Sequence, residues 1–354
     1  MPCGLVNRVA CPLYRACAEK CTTPLFVVGG YNGGERFWHC GAITMNANEW
    51  AGCDGRAVAR RDFLKVSASA AGLALFGRGL QASSGTAGVG TAADQVPLGN
   101  TGLKLSRLGF GTGSNGGNVQ KALGEQTFCD LIHYAFDKGI TYIDTAQNYA
   151  TFDWIGGAIK GLPREKLFVQ SKIPGQPEDV LKAIDRHRQA FGTDYIDSML
   201  IHCMVKDGWT DQWKRVMDGF EEAKSRKWIR AKGVSCHSLP ALRTAAASDW
   251  PEVHLVRVNP QAKHIDGPEE NWNKPGDNIA PVVEQLGTMH AKGRGVIGMK
   301  LVGNGDFVNP DDREKAIRFA MANSGINAVV VGFKTRQEID EAIERIDRAL
   351  AARS

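Results

Sequence analysis

From residue 105 onward the chain alternates short β-branched runs with stretches whose apolar residues recur at helical spacing. Leu105–Gly111 reads as a first strand, and a helix near 123–138 gathers Leu131, Ile132, Ala135 and Phe136 on one face. Ile140–Asp144 is a second strand, followed by a short helix over Phe152–Lys160. Leu167–Lys172 is a third, and the helix over 177–191 opens with Pro177-Glu178-Asp179, acidic residues suited to a helix N-terminus. Ile196–His202 precedes a helix over 210–227 that carries Trp213, Val216, Met217, Phe220 and Ala223. Ile229–Cys236 leads to a helix over 238–247, and Val253–Pro260 to a long Gly/Asn/Pro-bearing loop and a helix over 277–292. Gly295–Lys300 is followed by a helix over 310–322, and Asn327–Phe333 by a helix capped by Thr335 that runs to about Leu350.

Eight strand–helix repeats in about 250 residues predict an α/β fold of the closed (β/α)8 type, a TIM barrel. A doubly wound parallel sheet fits less well. Its nucleotide loop needs G-x-G-x-x-G after the first strand, and Gly109-Phe110-Gly111-Thr112-Gly113-Ser114 lacks the last glycine. These glycines read instead as a loop that a ligand approaches closely.

The chain before the repeats has a different character. Six of the nine cysteines (Cys3, Cys11, Cys17, Cys21, Cys40 and Cys53) lie in the first sixty residues, which show no sustained period of 2 or 3.6. No C-x-x-C pairing supports a small disulfide or metal module there. Residues 1–44 read as upstream sequence before a start at Met45. Residues 45–82 read as an export signal: Arg60-Arg61-Asp62-Phe63-Leu64-Lys65 and the apolar run to Phe76 resemble a twin-arginine signal. The expected location is therefore the periplasm, reached through the twin-arginine machinery, or the cytoplasm if the signal is unused. That apolar run is too short, and too rich in Ser, Ala and Gly, to span a bilayer stably. Residues 83–95 read as a tether and 96–354 as the barrel.

A net charge of +5, with both signs alternating along the helices, argues against a nucleic-acid or membrane-surface binder. Within the barrel only Cys129, Cys203 and Cys236 remain, so no disulfide framework is expected. The neighbouring pairs His202-Cys203 and Cys236-His237 lack zinc-site spacing, and strand alternation should let at most one of each pair face the mouth. No metal is expected.

Chemistry concentrates at three strand ends. Asp144, then Tyr149 just beyond it, Lys172 and His202 should converge on the mouth of a parallel barrel. A phenol beside an ammonium and a carboxylate is a proton donor in the making.

The order of Leu98-Gly99-Asn100-Thr101-Gly102-Leu103, Leu108-Gly109-Phe110-Gly111-Thr112 and Asp144-Thr145-Ala146-x-x-Tyr149 resembles the aldo-keto reductase superfamily. Ser171-Lys172, Ile201-His202, Gly233-Val234-Ser235 and Gly332 continue the match over about residues 96–350. The resemblance implies a barrel enzyme that uses NADPH to reduce aldehydes and ketones. It implies Tyr149 as general acid, Lys172 lowering its pKa, Asp144 keeping Lys172 charged and placed, and His202 orienting the carbonyl or sharing the proton relay. To the cofactor it assigns Gly111, Thr112, Ser235, Asn259, Leu301, Gly332, Lys334, Thr335, Arg336 and Glu341. Lys334 and Arg336, at a helix N-terminus that suits phosphate, favour NADP over NAD. Three positions depart from the pattern: Cys236 in place of Asn, Met299 where an aromatic stacks on nicotinamide, and Ala342 in place of Asn. The expected partner is a small carbonyl or sugar-like substrate. Two other readings stay open: a barrel that binds a nucleotide or other ligand without turnover, and a sugar or polyol oxidoreductase with tightly held cofactor whose loop Asp266–Asn278 faces the substrate.

Overall fold

The computed structural model describes residues 27–32, 35–40, 43–46 and 90–353. The chain divides into two units, Met1–Ala82 and Ser83–Ser354. In the first, strands Val27–Asn32, Glu35–Cys40 and Ile43–Asn46 pair antiparallel in chain order. They fall where no strand period is evident in the sequence. The twin-arginine segment and the rest of residues 1–89 lie outside the described residues.

The second unit is built on eight parallel strands: β1 (Leu108–Gly111), β2 (Tyr142–Asp144), β3 (Phe168–Ile173), β4 (Ile196–Met204), β5 (Ile229–Cys236), β6 (Val253–Arg257), β7 (Gly295–Met299) and β8 (Ala328–Val331). Each pairs with the next, and β8 pairs with β1 to close the barrel. The helices between and after them are α1 (Glu125–Asp137), α2 (Ile155–Ile159), α3 (Val180–Phe191), α4 (Lys214–Ser225), α5 (Leu239–Ala247), α6 (Ala280–Ala291), α7 (Pro310–Ala322) and α8 (Arg336–Ala351).

Strand alternation sorts the core into two. Tyr142, Phe168, Leu200, Leu255 and Ile297 pack in one cluster inside the barrel, while their neighbours Ile143, Val169, Ile201, Val256 and Val296 pack in another with the helices. Both faces of a strand are thus apolar, which is why the strands read as near-continuous hydrophobic runs.

The expected first strand, 105–111, divides at Arg107. Lys104–Ser106 pairs with Gln95–Pro97 in a hairpin, and only Leu108–Gly111 enters the barrel. Ser106 makes the break: its Oγ donates to Leu108 O at 2.6 Å and accepts from the amides of Thr141 and Tyr142 at 2.9 and 3.0 Å. Leu98, Leu103 and Leu105 of this hairpin join the interior cluster and plug the N-terminal end. Gly295, the first residue of β7, leaves room for the plug, since a Cβ there would lie 2.6 Å from Leu98 Cγ.

The expected tether over 83–95 ends earlier than expected. Ala92 is fully buried, its amide donates to Asp347 Oδ1 at 2.7 Å, and Thr91 Oγ1 donates to Asp94 Oδ1 at 2.8 Å. The helix expected over 177–191 starts at Val180, with Asp179 capping it by accepting from the Lys182 amide at 2.8 Å. The helix expected over 210–227 is two, Trp209–Gln212 and α4.

Candidate active site

The C-terminal ends of β2, β3 and β4 bring Asp144, Lys172 and His202 together, and a turn after β2 adds Tyr149. Lys172 is fully buried, and its Nζ donates to both carboxylate oxygens of Asp144 at 2.8 Å and to Thr145 O at 2.7 Å. The same Nζ lies 3.4 Å from the Tyr149 hydroxyl and 5.0 Å from its ring centroid. Gln170, two residues before Lys172 and on the same strand face, fixes the carboxylate from below. Its Nε2 donates to Asp144 Oδ1 and to the Tyr142 hydroxyl, both at 2.9 Å. Every member of this buried polar chain therefore supports the next, the condition under which a buried ion pair is tolerated. Gln170 was missed from sequence, although strand period places it with Lys172.

Tyr149 meets the His202 ring edge-to-face, with centroids 5.6 Å apart. Its position depends on Gly113, where a Cβ would fall 2.4 Å from Tyr149 Cζ and 2.7 Å from its hydroxyl. The glycine-rich loop after β1 thus makes room for the phenol as well as for a ligand.

The expected lowering of the Tyr149 pKa by Lys172 is overturned. Desolvation, together with the nearby Asp144 and Cys203, pushes the phenol well above its ordinary value. Lys172 pairs directly with Asp144, and burial lowers the ammonium's own pKa against the raising effect of that carboxylate. The phenol is accordingly a loaded proton donor at neutral pH. His202 is brought down to about 3 by burial and by the charges of Lys172 and Lys300, so its ring is neutral, and among the described residues its buried Nδ1 has no partner.

The alternation expected at His202-Cys203 fails because of a bulge. The β4–β5 register shifts between Val234, opposite Ile201, and Cys236, opposite Met204, and Cys203 takes a left-handed φ of 60°. Both His202 and Cys203 are consequently part-exposed at the mouth. At the second pair alternation holds: Cys236 is buried against the helix layer, with Sγ 3.5 Å from Ala241 O, while the His237 ring lies 6.3 Å from that of His202. Among the described residues no three His, Cys, Asp or Glu side chains form a metal-binding group.

A cavity of about 460 Å³ runs from this mouth to the start of α8. Of the expected cofactor residues, Gly111, Leu301, Gly332, Lys334 and Glu341 line it, together with Asp144 and Tyr149. The others are placed elsewhere. Thr112 is buried with its amide on Asp144 O at 2.9 Å. Ser235 is buried and its Oγ accepts from the Cys203 amide at 3.3 Å. The Asn259 side chain, expected as an amide contact, is spent on its own surroundings: it donates to Lys263 O at 2.7 Å and Lys300 O at 3.2 Å, and accepts from the Lys263 amide at 2.8 Å. Thr335 caps α8 by accepting from the Glu338 amide at 3.2 Å, and the Arg336 guanidinium lies over the Tyr134 ring at 4.9 Å. The loop expected to face a sugar does not do so through Asp266, which is buried on Arg257 with Nε to Oδ1 at 2.6 Å. Burial raises that carboxyl to about 6, against the guanidinium.

Lys300, not assigned from sequence, also lines the cavity. It has a left-handed φ of 60°, and its Nζ donates to Asn304 Oδ1 at 2.8 Å. Burial and the charges of Arg257 and Lys172 bring its ammonium down to about 8.

The aldo/keto reductase family model matches residues 107–352. A 9,11-endoperoxide prostaglandin H2 reductase of Trypanosoma cruzi is 32% identical over 138 residues, 38% of this chain and 45% of that protein. The glyoxal reductase of Bacillus subtilis is 31% identical over 176 residues, 48% of this chain and 59% of that one. The matches therefore span less than two thirds of these relatives' length. The holo form of an aldo-keto reductase from Bacillus halodurans superposes with a TM-score of 0.56 at 17% identity, over 72% of this chain and 94% of that one. An aldo-keto reductase from Klebsiella pneumoniae in complex with NADPH gives 0.53 at 18% identity, over 73% and 89%. At those identities the structural likeness is one of fold. With the family model spanning the whole barrel, this chain belongs to the aldo/keto reductase family.

Proposed function

We propose that the chain reduces an aldehyde or ketone by hydride transfer from a nicotinamide dinucleotide, with Tyr149 giving the proton to the carbonyl oxygen. The observation that carries this reading is the Tyr149 phenol 3.4 Å from a Lys172 ammonium that is itself locked on Asp144, at the edge of a cavity. Bound nicotinamide dinucleotide would supply the hydride.

The cavity fits such a molecule by its own features. Gly332 is a cradle with no space for a side chain, since a Cβ there would lie 2.1 Å from Ser114 Oγ. Lys300 brings a cation whose Nζ donates to the neutral Asn304, suited to a diphosphate. Gly111, Leu301 and Gly332 would line the bound molecule. Lys334 and Arg336, the basis for expecting the 2′-phosphorylated form, are engaged by Glu338 and by Tyr134.

Tyr149 holds the proton until charge develops on the carbonyl oxygen, and Lys172 stabilises the phenolate as the proton leaves. Asp144 keeps the ammonium in place through two 2.8 Å contacts. The neutral His202 ring orients the carbonyl, acting as hydrogen-bond partner rather than proton source.

Carbonyl-dependent oxidation of NADH or NADPH by the purified chain, measured over a panel of aldehydes and ketones, tests the reading. Cofactor bound but never oxidised by any carbonyl would replace it with the ligand-binding barrel. We also propose export by the twin-arginine route, on the strength of Arg60-Arg61 and the apolar run after it. Mass spectrometry of the secreted form should find a new N-terminus near Ala82; an exported form retaining residues 1–60 would contradict it.

A further inference from the structure

We propose that Glu338 makes this chain select the unphosphorylated dinucleotide, NAD(H), over its 2′-phosphorylated form. The inference rests on the proposed function, because it takes the cavity as the dinucleotide site. With Tyr149 and Asp144 at one end of that cavity, the nicotinamide must lie there, and the adenosine ribose is left with the other end, at Lys334, Glu338 and Glu341.

Two of those three residues are carboxylates. Glu338 reaches back over the start of α8, where its Oε2 accepts from the Lys334 backbone amide at 2.6 Å. Its Oε1 lies 3.5 Å from Lys334 Nζ. The side chain therefore takes both the amide and the ammonium that a 2′-phosphate would use, and puts a negative charge in their place. A carboxylate suits a ribose 2′-hydroxyl, whereas a phosphate at that oxygen wants a guanidinium.

The remaining cations at this end are already paired. Arg313 Nε is 2.8 Å from Glu341 Oε1, and its Nη1 donates to Phe307 O and Val308 O, both at 2.8 Å. Arg345 bridges Glu341 at 2.8 Å and Glu314 at 2.7 Å. Arg336, the other cation expected to favour phosphate, lies over Tyr134, whose hydroxyl donates to Asp340 at 2.7 Å. A dianionic phosphate entering here meets Glu338 at close range, while the cations that line this end, Lys334, Arg313 and Arg345, each already face a carboxylate. A like charge within a few ångströms at a half-exposed site is enough for about a tenfold preference.

The test is fluorescence titration of the full chain with NADH and NADPH, for the wild type, Glu338→Gln and Glu338→Arg. A glutamine keeps the capping hydrogen bond to the Lys334 amide while removing the charge, so the helix start should survive. The wild type should bind NADH about tenfold or more tighter than NADPH. Glu338→Gln should shrink that ratio about tenfold, through tighter NADPH binding, and Glu338→Arg should reverse it. Tighter NADPH binding by the wild type, or a ratio unmoved by both variants, would overturn the selector while leaving the reductase reading intact. Binding of neither dinucleotide would remove the reductase reading and the selector with it.

Discussion

The two ends of the cavity are built on opposite plans. At the β2–β4 end the polar groups are buried, few and linked in one chain: Gln170 holds Asp144, Asp144 holds Lys172, and Lys172 reaches Tyr149. At the α8 end the charges are many, half-exposed and linked in a carboxylate–guanidinium web through Glu314, Glu341, Arg345 and Arg348. Buried pairs of the first kind fix geometry, because losing one partner strands the other in a low dielectric. Exposed pairs of the second kind contribute little stability and can exchange partners, so they set selectivity without holding up the fold.

Removing a partner at the buried end should therefore have the largest effect. Lys172→Met leaves Asp144 unpaired and should cost about 3–5 kcal/mol of stability. Urea unfolding measures it, and a loss under 1 kcal/mol would place this pair with the exposed ones. Gly113→Ala comes next. The methyl would collide with the Tyr149 ring, and a displacement of about 1 Å typically lowers turnover about 10²-fold. Turnover within threefold of wild type would show that the loop yields freely.

Acid separates buried groups from exposed ones in the same way. His187, His202 and His254 all have pKa values lowered to about 3, chiefly by burial. Below about pH 6.5 the unfolded chain takes up protons that the folded one refuses, so stability falls as pH drops from about 6.5 toward 3. Each imidazole accounts for about 2 kcal/mol at pH 5. Glu314, held down to about 2 by Arg348 above all, keeps its contribution until the pH is below the usual carboxylate range. Denaturation midpoints at pH 7.5, 6 and 5 should decline steadily, and a flat profile would contradict the burial of these rings. The smallest effect is expected at Arg336→Ala, with a stability change within about 0.5 kcal/mol because only a half-exposed ring contact is lost. A larger fall in its unfolding midpoint would mean that α8 leans on that contact.

How much of this was legible in the sequence follows the same division. The barrel could be read because strand and helix periods alternate eight times, and Ile229–Cys236 matches β5 to the residue. Asp144, Lys172 and His202 could be read because strand ends in a parallel barrel share one mouth. The division at Ser106 could not, because that hydroxyl breaks the strand through bonds to residues about 35 positions away. Nor could the bulge at Cys203, which depends on the β5 register rather than on any local motif. At α8, the Thr335 cap was visible, but not that Glu338 turns toward Lys334 while Arg336 turns away. Side chains on an exposed surface choose among partners that only the folded chain assembles.

Tyr149 as the proton donor of a hydride-transfer site is the central claim. Tyr149→Phe, loaded with reduced dinucleotide and mixed with an aldehyde in a single-turnover experiment, tests that directly. The predicted result is binding of the dinucleotide within about threefold of wild type and carbonyl reduction slowed about 10²–10⁴-fold. Reduction at the wild-type rate, or loss of binding in step with loss of rate, would contradict it.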